Sequence, residues 1–293
     1  MEELQKEMMQ TAKALLVGVD TGKDEDFGHS MEELRSLAKS CGREVAGMVT
    51  QRMEAVNKAF YVGRGKVDEL KDKIAELGVG EVIFDNDLSP AQIKNLSDIL
   101  DVSITDRTGL ILEIFAVRAG TREAKLQVET ARLQYLLPRL AGNYEQLGRQ
   151  GGASGSLSNK GSGEKKLELD RRTIEKKIDE LKRELDHIAV NREVKRKKRE
   201  KSDIPQAALV GYTNAGKSTI MNHFLSHFKC GAEKQVLEKD MLFATLDTSV
   251  RLMQEEDHKP FYLADTVGFI NKLPHGLIKA FRSTLEEVKY ADL

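Results

Sequence analysis

The chain is 293 residues long, which leaves room for two or three domains. Its 40% hydrophobic and 32% charged residues are the balance of a soluble globular protein and not of a disordered one. The formal net charge of −1 removes overall charge as a sign of nucleic-acid binding, so any basic surface has to be local. The first ten residues, MEELQKEMMQ, lack the apolar run of a signal peptide, and no apolar stretch approaches membrane-spanning length. A cytoplasmic protein without a membrane span is expected. Cys41 and Cys230 match no metal-ligand spacing and are expected to be reduced, small core residues.

From residue 13 to about 118, short apolar runs alternate with helical patterns. The runs at 14–19 (ALLVGV), 44–50 (EVAGMVT) and 81–85 (EVIFD) predict buried strands. Residues 31–40 and 67–77 predict helices between them, and Ser89-Pro90 predicts an N-cap followed by the first residue of another helix. This alternation points to a small α/β domain with a parallel sheet over residues 1–120. Residues 61–66, YVGRGK, place glycines and positive charge just before a helix; a tight turn and an anion site both fit.

Beyond residue 121 the period changes. Leu126, Leu133, Leu140 and Leu147 recur every seven residues, with Leu137 and Tyr144 at the complementary position. Leu167, Ile174, Ile178, Leu181, Leu185 and Ile188 continue the 3–4 spacing. Two heptad helices joined by a flexible segment predict an antiparallel helical hairpin over 121–202. The glycine- and serine-rich stretch 148–166 would form its tip. Composition alone favours an inert linker, but Arg149, Lys160, Lys165 and Lys166 put positive charge there, suited to probing RNA phosphates. The run REVKRKKREK at 192–201 holds seven basic and two acidic residues, and then Asp203-Ile204-Pro205 marks a domain boundary.

Residues 206–210 (QAALV) read as a strand leading into GYTNAGKS at 211–218, and an apolar helical pattern follows. This is G-x-x-x-x-G-K-[ST] in a strand–loop–helix setting. Gly211 and Gly216 are expected to let the backbone curl so that N–H groups of Tyr212, Thr213, Asn214 and Ala215 face phosphate oxygens. The helix start near Gly216 and Thr219 adds its positive end. Lys217 would supply charge to the β- and γ-phosphates, and Ser218 a magnesium ligand. After a second short strand at 261–264, Asp265, Thr266, Val267 and Gly268 form D-x-x-G: an acidic group for magnesium and a glycine N–H for the γ-phosphate. Between the two motifs lies 242–247, LFATLD, the candidate switch segment with Phe243, Ala244, Thr245, Leu246 and Asp247. Thr245 is the expected ligand to magnesium and γ-phosphate, with Thr248 the alternative. Lys217, Thr245 and Gly268 are therefore the candidate catalytic residues, and Ser218, Thr245 and Asp265 the candidate metal ligands.

Phe269 stands where a water-orienting glutamine would be in the Ras type, so another group would have to position water. No Asn-Lys-x-Asp motif for guanine occurs; Asn57-Lys58, Asn159-Lys160 and Asn271-Lys272 each lack the aspartate. A doubly wound P-loop domain over 203–293 is thus expected to be incomplete at its C-terminus, and the base that it selects is left open.

The segments GYTNAGKST, LFATLD, DTVGFINKLPH and AFRSTLEEV resemble the HflX GTPases, of the Obg-HflX group of P-loop GTPases. So do YVGRGKVDEL, VIFDNDLSPAQ, TDRTGLILEIF, TREAKLQVETARLQYLLPRL and LELDRR upstream. The resemblance implies GTP (and ATP as a second nucleotide) with Mg2+ as cofactors, and the large ribosomal subunit and its rRNA as partners. It implies association with ribosomes, which some members split or rescue under stress, with the hairpin directed at ribosomal RNA; a monomer is expected. A hydrophobic residue at 269 is similar to the family pattern. The tip, RQGGASGSLSNKGSGEKK, is longer than the usual RQGGGIGTRGPGET-like loop. A docking module that binds ribosome or RNA without hydrolysing nucleotide is the alternative expectation.

Overall fold

The computed structural model describes residues 13–22, 26–140, 158–200, 204–228, 242–243, 246, 249–255, 258–273 and 288–293. Two compact units result: residues 1–113 with 134–175, and residues 114–133 with 176–293.

In the first unit, β1 (Lys13–Asp20), β2 (Glu44–Arg52), β3 (Glu81–Phe84) and β4 (Ser103–Asp106) form one sheet in the order β2-β1-β3-β4. Every pairing in it is parallel. Residues 14–19 of β1 are buried without a break, as a strand covered on both faces must be. Leu15, Val17 and Val19 share a core with Val67, Leu70 and Ile74 of helix α2 (Arg64–Leu77) and Leu96 and Leu100 of α3 (Pro90–Leu100). Gly18 faces the other side, where an added Cβ would lie 2.3 Å from Met31 Sδ of α1 (Phe27–Ser40). The Ser89-Pro90 expectation holds in detail: the Ser89 hydroxyl accepts from Gln92 N at 3.2 Å, and the Gln92 side chain accepts from Ser89 N. Helix α2 begins earlier than predicted, at Arg64 with Gly63 as N-cap, so Arg64–Lys66 form its first turn. Cys41 is half-buried and not a core residue; its thiol meets Leu110 O at 3.6 Å.

The carboxyl ends of β3 and β4 carry a network that the apolar pattern does not disclose. Asp85 and Arg107 are 0% and 1% exposed, and Arg107 Nη1 donates to Asp85 Oδ1 at 2.7 Å while Nη2 donates to Glu33. Ser30 Oγ donates to the other Asp85 oxygen at 2.8 Å. Asp106, also fully buried, accepts from Leu88 N, Gly109 N, Tyr135 OH and Arg139 Nη2. Burial first, and then the Asp106 carboxylate, raise the Tyr135 phenol above its ordinary range. A Cβ on Gly109 would sit 2.9 Å from the Tyr135 hydroxyl, so that approach needs glycine.

Helix α4 (Arg107–Arg118) is followed by α5 (Arg122–Leu136), a short 3-10 turn (Leu137–Arg139) and the 43-residue α6 (Ser158–Glu200). Two expectations change here. Helix α6 starts at Ser158, inside the stretch read as a flexible tip: nothing in 158–166 breaks a helix as proline would, and glycine weakens one by only about 1 kcal/mol. Tyr144, Leu147 and Arg149 lie outside the described residues. In α5 the buried positions are Ala124, Gln127, Val128, Thr130 and Ala131, whereas Leu126 and Leu133 are half-buried. Small side chains permit closer approach than a leucine seam. The α6 stripe is as expected: Ile178 and Leu181 are buried, and Leu167, Ile174, Leu185 and Ile188 half-buried. Arg122 pairs with Glu184 at 2.9 Å and Glu123 with Arg192 at 2.7 Å.

In the second unit, β5 (Gln206–Leu209), β6 (Ser249–Glu255) and β7 (His258–Asp265) form a sheet in the order β5-β7-β6. β5 and β7 are parallel, and β6, which the sequence analysis did not identify, is antiparallel to β7. Helix α7 (Lys217–His227) packs Met221 and Leu225 on Met253 and Leu263, with Phe224, Phe228 and Phe261 around them. On the far edge of β5, Ala208 N donates to Leu293 O and Asp292 N to Gln206 O. Among the described residues, no helix is long and apolar enough to cross a membrane.

Replacing Arg107 by alanine leaves Asp85 and Glu33 as buried carboxylates without their cation. Loss of about 3–5 kcal/mol of stability is expected in urea unfolding. Arg171→Ala, which removes an exposed pair with Glu175, should leave the unfolding midpoint essentially unchanged.

Candidate functional site

The parallel register of β5 with β7 sets Leu209 opposite Asp265, so both strands end at the same level. The loop leaving β5 and the D-x-x-G segment leaving β7 then run side by side. Phe269 N donates to Gly211 O at 2.9 Å and Thr213 N to Phe269 O at 2.8 Å, a short parallel bridge between the two motifs. Thr266 Oγ1 donates to Leu209 O at 2.6 Å. Gly268 lies directly against the loop: a Cβ there would be 2.5 Å from Thr213 Cα and 2.9 Å from Lys217 Nζ. No side chain fits, and this is the physical reason for glycine in D-x-x-G.

The loop's curl is distributed differently from the expectation. Gly216 has φ 86°, and the other left-handed residue is Asn214 at 60°, a residue type that tolerates that region. Gly211 does not share it, and an added Cβ there would meet Ala215 and Lys217 only at 3.9 Å. Its contribution is its carbonyl, which sits at the strand end and accepts from Phe269 N and Lys217 Nζ. Gly216 is the N-cap of α7 and has no side chain with which to cap it.

Lys217 Nζ donates to Tyr212 O at 2.6 Å and Gly211 O at 3.1 Å, so the ammonium is held at the loop. Burial lowers this ammonium from its ordinary range, with the nearby Asp265 carboxylate acting in the opposite direction. Ser218 Oγ donates to Asp265 Oδ2 at 3.1 Å. Asp265 and Thr266 are 0% and 1% exposed, and Val267 is buried. Tyr212, Asn214, Ala215 and Thr219 are exposed, and Thr213, Gly216, Lys217 and Ser218 half-buried, so one wall of the site is open and the other closed.

Of the switch segment, Leu242, Phe243 and Leu246 are described, and all three are buried, at 8%, 3% and 2% exposure. Ala244, Thr245, Asp247 and Thr248 lie outside the described residues. Phe269 is 40% exposed and carries no group able to orient water.

A hydroxyl and a carboxylate in contact, both hard oxygen donors, beside a half-buried ammonium and an uncapped helix start, suit a magnesium–polyphosphate. Among the described residues no cluster of three or more His, Cys, Asp or Glu could hold a metal by itself. Magnesium usually needs fewer protein ligands when phosphates complete its shell. Fold and site together define a domain of the P-loop nucleotide-binding class.

Similarity to known proteins narrows this further. Residues 28–116 match the family described as GTP-binding GTPase N-terminal, residues 118–199 the GTP-binding GTPase Middle Region, and residues 206–293 the 50S ribosome-binding GTPase family. A GTPase HflX from Lacrimispora saccharolytica is 47% identical over 281 residues, covering 96% of this chain and 64% of the relative. One from Flavobacterium psychrophilum is 42% identical, covering 99% of this chain and 68% of the relative. The crystal structure of an SsGBP and GDP complex superposes with a TM-score of 0.51 at 26% identity, covering 96% of this chain and 70% of that one. The chain belongs to the HflX family of GTPases. It spans 64% and 65% of the length of the first two such relatives.

Gly268→Ala is expected to push the D-x-x-G segment off the loop and break the two bridge hydrogen bonds. Amide exchange at Thr213 and Phe269 should then quicken by about 5-fold or more, since each bond contributes about 1 kcal/mol. Unchanged protection at both amides would show that the close approach is not essential.

Proposed function

We propose that the chain binds a guanine nucleoside triphosphate with magnesium in the site between residues 211–219 and 265–268, and hydrolyses it as part of a switch acting on the large ribosomal subunit in the cytoplasm. The observation that carries this reading is the Ser218–Asp265 contact at 3.1 Å, formed next to Lys217 at the start of an uncapped helix. Ser218 and Asp265 are the groups that would hold magnesium, with Thr245 as the third. Magnesium, when bound, neutralises charge on the phosphate oxygens.

The rest is assigned to the chain's own groups. Lys217 exchanges its two carbonyl acceptors for phosphate oxygens, a favourable exchange because charge-assisted bonds are the stronger ones. Backbone N–H groups of the loop and of the α7 start would cradle the phosphates, but not that of Thr213 as the sequence suggested, since it donates to Phe269 O at 2.8 Å. Gly268 offers its N–H at the γ-phosphate position, where its lack of a side chain leaves room. Phe269 leaves water positioning to a group outside these residues. The choice of guanine is supported by membership of the family and by GDP in the SsGBP complex, and the ribosomal partner by the description of the family matched at 206–293. The division into 1–120, 121–202 and 203–293 is supported by family matches at 28–116, 118–199 and 206–293.

The test is turnover of GTP by the chain, with and without purified large subunits. Magnesium-dependent hydrolysis stimulated by subunits is expected, and Lys217→Ala should lower its rate by about 10²-fold or more, the scale of losing one preorganised charge. Failure to bind either GTP or ATP, with the chain still sedimenting with subunits, would instead establish the non-hydrolysing docking module.

A further inference from the structure

We infer that Ser249 is a positioning residue for the magnesium site, its hydroxyl donating to the Asp265 carboxylate and fixing the face that this group turns to the metal. The inference deepens the site reading above and rests on it. Ser249 opens β6 and is the register partner of Asp265 on β7. Residues directly opposite in an antiparallel pair point to one face, with Cβ atoms about 4.5–5.5 Å apart. A serine and an aspartate side chain together bridge that gap. The face is the one on which α7 packs: counting in twos from the buried Met253 and Leu263 leads to Ser249 and Asp265. Arg251, on the same face, stands opposite Leu263 and not Asp265.

Ser249 Oγ is buried and, among the described residues, has no hydrogen-bond partner. Buried hydroxyls are nearly always paired, so an unpaired one opposite a functional carboxylate needs a reason. Packing supplies none, since burying a hydroxyl without a bond costs stability. Asp265 supplies one. Its carboxylate is 0% exposed, so its hydrogen bonds come from the protein or from what the site binds. Oδ2 accepts from Ser218 Oγ at 3.1 Å, and a carboxylate has acceptor capacity for further donors. The terminal torsion of aspartate is soft, so one hydroxyl alone leaves the plane of the group loosely set. Turning the Ser249 hydroxyl to Asp265 satisfies it and sets that plane from the opposite strand. Carboxylate ligands held by hydrogen bonds bind metal more tightly, which gives the effect its sign: the Ser249 hydroxyl strengthens metal binding.

The test is Mn2+ binding to the GDP complex of the chain, followed by the EPR signal of free Mn2+, with Ser249→Ala, Ser249→Thr, Asp265→Asn and the Ser249→Ala, Asp265→Asn pair. Ser249→Ala should weaken Mn2+ by roughly 10-fold, the low end for losing a group that orients a metal ligand, while GDP affinity measured in EDTA stays unchanged. Ser249→Thr keeps the hydroxyl and should bind Mn2+ more tightly than Ser249→Ala. Added to Asp265→Asn, Ser249→Ala should cost much less than it does alone, because the two residues act as one unit. Undiminished Mn2+ affinity in Ser249→Ala overturns the inference, as does Ser249→Thr binding no better than the alanine variant. So does a matching loss of GDP affinity without metal, which is what a purely structural role would give, and so do additive losses in the paired variant. An unsubstituted chain that binds no GDP or no Mn2+ overturns the site reading and this inference with it, as does Asp265→Asn with undiminished Mn2+ affinity. Asp265→Asn weakened with Ser249→Ala unaffected overturns this inference alone.

Discussion

The parallel pairing of β5 with β7 is the constraint from which the site follows. Because Leu209 and Asp265 are register partners, a glycine-rich loop and an acidic segment that are distant in sequence leave the sheet at one level and in one direction. The hydrogen bonds between Gly211, Thr213 and Phe269 extend that pairing past the strands. Ser218 and Asp265 come within 3.1 Å only because the loop returns to the same edge to start α7. The geometry tolerates little change at Gly268, where the two backbones are too close for a Cβ. A stiff, satisfied backbone on one side and half-exposed donors on the other is what preorganised phosphate binding requires.

The first unit applies the same architectural rule to a different end. Its sheet order, β2-β1-β3-β4, also gathers polar residues at the carboxyl ends of parallel strands, the usual place for a ligand crevice. There the buried carboxylate after β3, Asp85, is met by the chain's own cation, Arg107, and Asp106 by Arg139. Charge that could recognise a ligand is instead spent within the fold, tying α1, α4 and the end of α5 to the sheet. Replacing such pairs by apolar residues is often neutral, whereas removing one partner is not. The network therefore argues for a defined arrangement more than for added stability.

What was legible in the sequence followed from local rules. The strands around residues 14–19 and 81–85 could be read because buried parallel strands are continuous apolar runs, and the Ser89 cap because its partner Gln92 is three residues away; 44–50 is a strand as expected but not a buried one, since β2 lies at the sheet edge and buries only Val49. Gly216, Lys217 and Ser218 could be read because one strand–loop–helix sets their spacing, and Asp265 and Gly268 because they leave the end of a second apolar strand. Non-local features were not legible. Asn214 sharing the left-handed turn with Gly216 depends on the loop's contact with Phe269. The buried face of α5, Ala124, Val128 and Ala131 in place of the leucine repeat, depends on what packs against it. Arg107 reads as an ordinary charged residue until Asp85, Glu33 and Ser30 are brought around it. Strand β6, SVRLMQE, has a polar alternation too weak to stand out without β7 beside it. Family resemblance named the class, but the pairing of Ser249 with Asp265 is visible only in three dimensions.

The central claim, that residues 211–219 and 265–268 form one magnesium–nucleotide site, is tested most directly by paramagnetic relaxation in the protein's amide spectrum. Mn2+ with GDP would replace Mg2+ as the probe. The strongest broadening is predicted at residues 216–219 and 265–268 together, and its loss there in Asp265→Asn. Broadening confined to other residues, or equal in the substituted and unsubstituted chains, would contradict it.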